Sequence, residues 1–108
     1  MKKGDIYLFN LSDGIGHEQS GDRPGILVSG LVNNMFMVVP LTTNLESLRF
    51  SHTLSIVPSK KNNVKNESVA LAFQLKSLDK NSAVNHLGRI DSSDYESLDQ
   101  ILKDFLAL

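Results

Sequence analysis

Arg23 stands where a polar, glycine-punctuated stretch, His17-Glu18-Gln19-Ser20-Gly21-Asp22, runs into Pro24 and an apolar run ending near Ser29. That arrangement predicts one guanidinium held at the mouth of a strand. Residues 10–22 show no evident secondary structure, and in a compact domain a loop of that length is usually functional or disordered. The other candidates follow by elimination. The chain has no cysteine, no glycine-rich phosphate loop of Walker type, and no carboxylates or histidines at metal-ligand spacing; His17, His52 and His86 are far apart in sequence. Metal catalysis is therefore the weaker expectation, and no cofactor is expected. What is left is a polar site of Arg23, a hydroxyl at Thr42 or Thr43, and a histidine.

Those residue types suit cleavage of RNA by transesterification. There the 2′-hydroxyl attacks its own adjacent phosphorus, so the substrate supplies the nucleophile. The protein has to align that oxygen with the leaving 5′-oxygen and stabilise charge on the phosphorane, for which a forked guanidinium is well shaped. A guanidinium stays protonated in proteins and makes a poor base, so Arg23 is assigned to stabilising charge or donating a proton. Each residue also has a structural alternative. Arg23 could bond carbonyls of its own loop, Thr42 could cap a strand end, and His17 could be a loop histidine without a role. Thr43 is the natural control for Thr42, because side chains alternate along an extended segment.

The elements that must position these residues are mostly strands. Residues 4–9 read as a first strand with Ile6 and Leu8 on one face and Tyr7 and Phe9 on the other, so both faces are expected to be covered. Residues 25–29 and 31–41 read as the next two, joined by a tight turn at Gly30 or at Asn33-Asn34, since Gly and Asn tolerate positive φ. Pro40 is expected to close the third strand for want of an amide proton. Residues 42–50 read as loop or one helical turn, 52–57 as a half-buried strand stopped by Pro58, and 59–66 as an exposed connection. The nearly all-apolar 68–74 reads as a central strand, and 86–90, after residues 76–78, as the last.

The C-terminus carries the one convincing helix. Tyr95, Leu98, Ile101, Leu102, Phe105 and Leu106 form an apolar stripe. Asp91 or Ser93 is expected to cap it, Ser93 with Glu96 as a capping box. Five to seven short strands with one terminal helix predict a mainly β fold, a small curled antiparallel sheet or barrel.

At 108 residues the chain is expected to be a single domain, and 41% hydrophobic with 21% charged residues is an ordinary globular composition. No signal-peptide pattern and no apolar run of membrane-spanning length is visible, which makes a cytoplasmic location the default. A net charge of −1 looks wrong for a nucleic-acid binder until it is located. Residues 91–108 hold five acids against Lys103, a local −4, which leaves +3 on residues 1–90. That excess supports only a short phosphate contact. Lys60, Lys61 and Lys65 read as a solvated turn more readily than as an RNA clamp.

Five stretches keep a common order and spacing along the chain: Gly4-Asp5-Ile6-Tyr7, Glu18-Gln19-Ser20-Gly21-Asp22-Arg23-Pro24, Val39-Pro40-Leu41-Thr42, Gln74-Leu75-Lys76-Ser77-Leu78 and Leu87-Gly88-Arg89-Ile90. In them the chain resembles the MazF/PemK-like toxins of the CcdB/PemK superfamily, the ribonuclease halves of bacterial type II toxin–antitoxin pairs. The resemblance implies one domain over residues 1–108, an SH3-like antiparallel β-barrel with a C-terminal α-helix, forming a homodimer. It implies an mRNA interferase cutting single-stranded RNA at a short specific sequence without metal, leaving 2′,3′-cyclic phosphate and 5′-hydroxyl ends. It carries the catalytic arginine onto Arg23 and the catalytic threonine onto Thr42. Gln19, Ser20, Thr43, Gln74 and Lys76 become candidate RNA contacts, with His17 as candidate acid or base. It also implies inhibition by a cognate antitoxin whose disordered acidic segment lies over the RNA groove. The alternative it implies is a non-catalytic toxin of the same fold that binds and poisons DNA gyrase. One departure stands out: the family usually has an acid just before the glutamine matched by Gln74, and here that residue is Phe73.

Overall fold

The computed structural model describes residues 1–10 and 22–108. The candidates His17, Gln19 and Ser20 lie outside these residues. Among the described residues, seven antiparallel strands and one α-helix make up a mainly β fold. The strands are β1 (Asp5–Asn10), β2 (Asp22–Leu27), β3 (Met35–Thr42), β4 (Thr53–Ile56), β5 (Ser68–Leu71), β6 (Lys76–Asp79) and β7 (Ala83–Arg89), followed by α1 (Ser92–Phe105). Their order is β4-β5-β3-β2-β1-β7, with β6 also pairing β3, so the curled sheet follows an open path. No helix among the described residues is long and apolar enough to cross a membrane.

Strand register explains the apolar runs. Ile6, Ile26 and Val39 lie opposite one another across β1, β2 and β3, and all three join a core closed by Leu98 and Leu102 of α1. One residue along, Leu27 and Val38 are also partners, and with Phe9 and Phe36 they form a second core. Because successive side chains point to opposite faces, a sheet covered on both faces needs consecutive apolar residues, as at Ile26-Leu27 and Val38-Val39. Tyr7 packs beside Phe9 in the second core, as the alternation in β1 predicts.

Several boundaries differ from the sequence reading. Of the two turn candidates, Asn33-Asn34 makes the hairpin: both have positive φ (52° and 65°), and Val32 and Met35 exchange backbone hydrogen bonds around them. That is the primed two-residue turn which suits strand twist. β2 begins at Asp22, three residues earlier than expected, so Arg23 lies inside a strand, opposite Phe9 of β1. Pro40 does not end β3. Beyond it the strand changes partner, and Leu41 and Thr42 pair with Ala70 and Val69 of β5.

The apolar run 68–74 is extended only to Leu71; Ala72–Gln74 turns into a 3-10 helix closed by Leu75 N–H on the Ala72 carbonyl. Its apolar character reflected burial, which extended and tightly wound backbone share. β6 was not anticipated at all. Asp91 occupies the N-cap position of α1 without a side-chain cap bond, which puts Ser93 inside the first turn and excludes the expected capping box. The connection 59–66 is not wholly exposed: Asn62 is fully buried. Its Oδ1 accepts from the amides of Ser59 and Val64, and its Nδ2 donates to the Val57 carbonyl.

Candidate active site

The site is made by the end of a ladder. β2 and β3 pair from Leu27–Val38 to Gly25–Pro40 and no further. Beyond that point β2 stays with β1 and β3 goes with β5. Pro24 and Pro40 fall at the parting, and neither has an amide proton to extend a ladder. Gly25 lets the strands approach just before they part, since a Cβ there would sit 2.5 Å from Val38 Cγ1. Carrying the register two places on would set Arg23 opposite Thr42, on the face that carries Phe9 and Leu27. The strands separate instead, and both side chains line the cleft that opens there.

Two adjoining hollows share Arg23, Leu41 and Thr42 as their common wall. One, of about 230 Å³, adds Asp22, Thr43 and Ser68. The other, of about 210 Å³, adds Ser47, Gln74 and Lys76. The fold thus brings together five of the expected site residues, Arg23, Thr42, Thr43, Gln74 and Lys76. Thr43 does not turn away as strand alternation predicts, because it lies past the end of β3 and lines the same hollow as Thr42. His52 and His86 lie elsewhere. His52 Nε2 is 2.7 Å from Asp104 Oδ2 at the end of α1, and the His86 ring packs edge-on against Tyr7.

Thr42 is fixed by the turn that follows it. Its Oγ1 accepts the Asn44 amide at 3.2 Å, and Asn44 Oδ1 in turn accepts from Glu46 N, capping the 3-10 helix Leu45–Arg49. A hydroxyl accepting in this way can still donate its own proton. The half-buried Arg23 supplies a fork of donors and Lys76 a second positive charge from β6, whose partner across the sheet is Val38 of β3. The arrangement can grip a phosphate by guanidinium and by hydroxyl together, with an amide at Gln74 to read a base edge.

Asp22, Ser47 and Ser68 were not singled out in the sequence. Each is a common polar residue whose place in the cleft depends on where the β2–β3 ladder ends. Only Asp22, next to Arg23, carried any signal.

The family model of the "PemK-like, MazF-like toxin of type II toxin-antitoxin system" matches residues 2–106. Endoribonuclease EndoA of Bacillus subtilis (strain 168) is 27% identical over 112 residues, covering 100% of this chain and 96% of that protein. Endoribonuclease MazF of Staphylococcus saprophyticus is 32% identical over 85 residues, covering 75% of this chain and 70% of its own length. Among solved structures, an endoribonuclease in complex with its cognate antitoxin from Mycobacterial species superposes with a TM-score of 0.77 at 20% identity, over 100% of this chain and 96% of that one. These similarities do not favour the gyrase alternative.

Proposed function

Since the chain belongs to the PemK-like, MazF-like toxins of type II toxin–antitoxin systems, we propose that it is the toxin endoribonuclease of such a pair, cutting single-stranded messenger RNA at a short sequence. The observation that carries this reading is the convergence of Arg23 and Thr42 on one wall of a polar cleft. The names of the relatives support the same class of activity.

In the proposed reaction the 2′-oxygen attacks phosphorus and loses its proton, the bond from phosphorus to the 5′-oxygen breaks, and that oxygen takes up a proton. The products are a 2′,3′-cyclic phosphate and a 5′-hydroxyl, and no metal takes part. Arg23 stabilises the phosphorane oxygens and Thr42 donates to one of them. His17 is the candidate for moving a proton. Gln74 and Lys76, together with Gln19, Ser20 and Thr43, hold the strand. A single strand is required because in-line attack needs a splayed backbone, which an A-form helix does not permit.

The working form in this reading is a homodimer in the cytoplasm, silenced when a disordered acidic segment of the antitoxin orders over the cleft. The ends of the products test the chemistry. New 5′ ends that accept a phosphate from a polynucleotide kinase without prior dephosphorylation are expected. New 5′-phosphate ends would rule out the 2′-hydroxyl as nucleophile.

A further inference from the structure

Beside the cleft lies an aromatic pair that the phosphate chemistry does not use. Phe50 and Phe73 stand with ring centroids 5.6 Å apart at 58°. The Arg49 guanidinium lies over the Phe50 ring, 5.0 Å from its centre. Phe50 remains 46% exposed, so the pair is not packed as core. Both rings are nonetheless carried on fixed backbone. Phe50 N–H donates to the Ser47 carbonyl, its own carbonyl accepts from Thr53 Oγ1, and Phe73 sits inside the closed turn Ala72–Gln74. Ser47 and Gln74, on the same two short segments, line the cleft.

We propose that Phe50 and Phe73, with Arg49, form a stacking subsite for an unpaired base of the strand held in the cleft, and so help to set the cleavage sequence. This rests on the ribonuclease reading above and extends it to one specificity-determining contact. Three observations favour a base as the occupant. The rings are carried on the same two short segments as the cleft-lining Ser47 and Gln74, so a nucleotide next to the one gripped at Arg23 and Thr42 is the part of the strand they would meet. A planar guanidinium beside the rings adds a second surface of the kind on which bases stack. The local charge, Arg23, Arg49 and Lys76 against Asp22 and Glu46, is net positive at +1 and suits a polyanion. Every base has a π-face, so the expected preference is graded by ring size, with purines ahead of pyrimidines.

The test starts by mapping cleavage of a long RNA by the wild type. Oligonucleotides bearing one mapped site are then made with each flanking base in turn replaced by an abasic unit. They are compared between the wild type and a Phe50→Leu/Phe73→Leu variant, which keeps apolar bulk but loses the ring faces. For the wild type, loss of one particular base should lower kcat/KM about tenfold, mainly through KM. The variant should be about tenfold weaker on the intact substrate and indifferent to that base, and Phe50→Trp should retain the wild-type preference. Equal abasic penalties in both proteins would overturn the proposal, as would a loss confined to kcat. So would unchanged cleavage accompanied by weaker binding of an acidic antitoxin segment, which would assign the rings to a protein partner. If the double variant does not fold, Phe50→Leu and Phe73→Leu are read singly on the same oligonucleotides: an abasic penalty reduced in either one supports the proposal, and penalties equal to the wild type's in both overturn it. A wild type that cuts no RNA fails at the first step, and that failure belongs to the ribonuclease reading.

Discussion

At the scale of single residues, the account depends on what Arg23 and Thr42 can each do. Arg23→Ala should lower kcat about 10²- to 10³-fold with the fold intact, the loss typical of removing one donor to a transition-state oxyanion. Arg23→Lys should recover only part of it, because a point charge replaces a planar fork. Thr42→Val should lower kcat by up to about 10²-fold, measured under single-turnover conditions, while Thr43→Val should act mainly on KM. Equal kcat losses for both threonines would mean that the cleft does not distinguish their roles. Arg23 could be found in the sequence because its chemistry and its place before Pro24 are distinctive, whereas the choice of Thr42 over Thr43, and Gln74 and Lys76, came from the family resemblance. Ser47 and Ser68 could not be found, being ordinary polar residues made relevant by the parting of two strands.

At the scale of elements, the site depends on strands held in place from behind. Asp5 of β1 is buried and accepts from Arg89 Nη1 of β7 and from Lys2 N, both at 2.8 Å. Burial pushes its carboxyl pKa up, but those hydrogen bonds and the Arg89 and His86 charges outweigh this and leave it below the usual carboxylate range. A pKa lower in the folded state than in the unfolded one adds stability above the unfolded value, about 3.9, and that stability is lost as pH falls through the folded value. Melting temperature should therefore drop on acidification below about pH 4, with a smaller drop in Asp5→Asn. Beside this pair, Gly88 lets the connection 59–66 lie against β7, since a Cβ there would come within 2.5 Å of the Lys61 carbonyl oxygen. Gly88→Ala should cost about 3 kcal/mol in denaturant unfolding, and Asn62→Ala about 2 kcal/mol, because its backbone partners lose their bonds. Most strands were legible as apolar runs bounded by turn residues, residues 52–57 from alternation, and the helix from its stripe. β6 was not, because pairing to β3 rather than local pattern sets it, and the turn at Ala72 was not, because buried extended and tightly wound backbone look alike in an apolar run.

At the scale of the whole molecule, the charge is divided between residues 1–90, at +3, and the acidic C-terminal segment, at −4. The cleft itself offers two described cations, Arg23 and Lys76. Two phosphate contacts on a single strand predict that log affinity for RNA falls with log salt at a slope of about −1.4. A much steeper slope would mean that further cations, Arg49 or the lysines of 59–66, also bind. The mainly β class with one packed helix could be read from pattern alone, whereas the proposed dimer and antitoxin rest on family resemblance, because a surface that binds a partner leaves no period in the sequence. The central claim is a metal-independent cut made at Arg23, and the measurement that meets it most directly is incubation of purified protein with long single-stranded RNA in EDTA, wild type beside Arg23→Ala, with ends mapped by primer extension. Discrete cuts by the wild type that vanish in the variant are the predicted result. Intact RNA from folded wild type, or cuts that persist in Arg23→Ala, would contradict it.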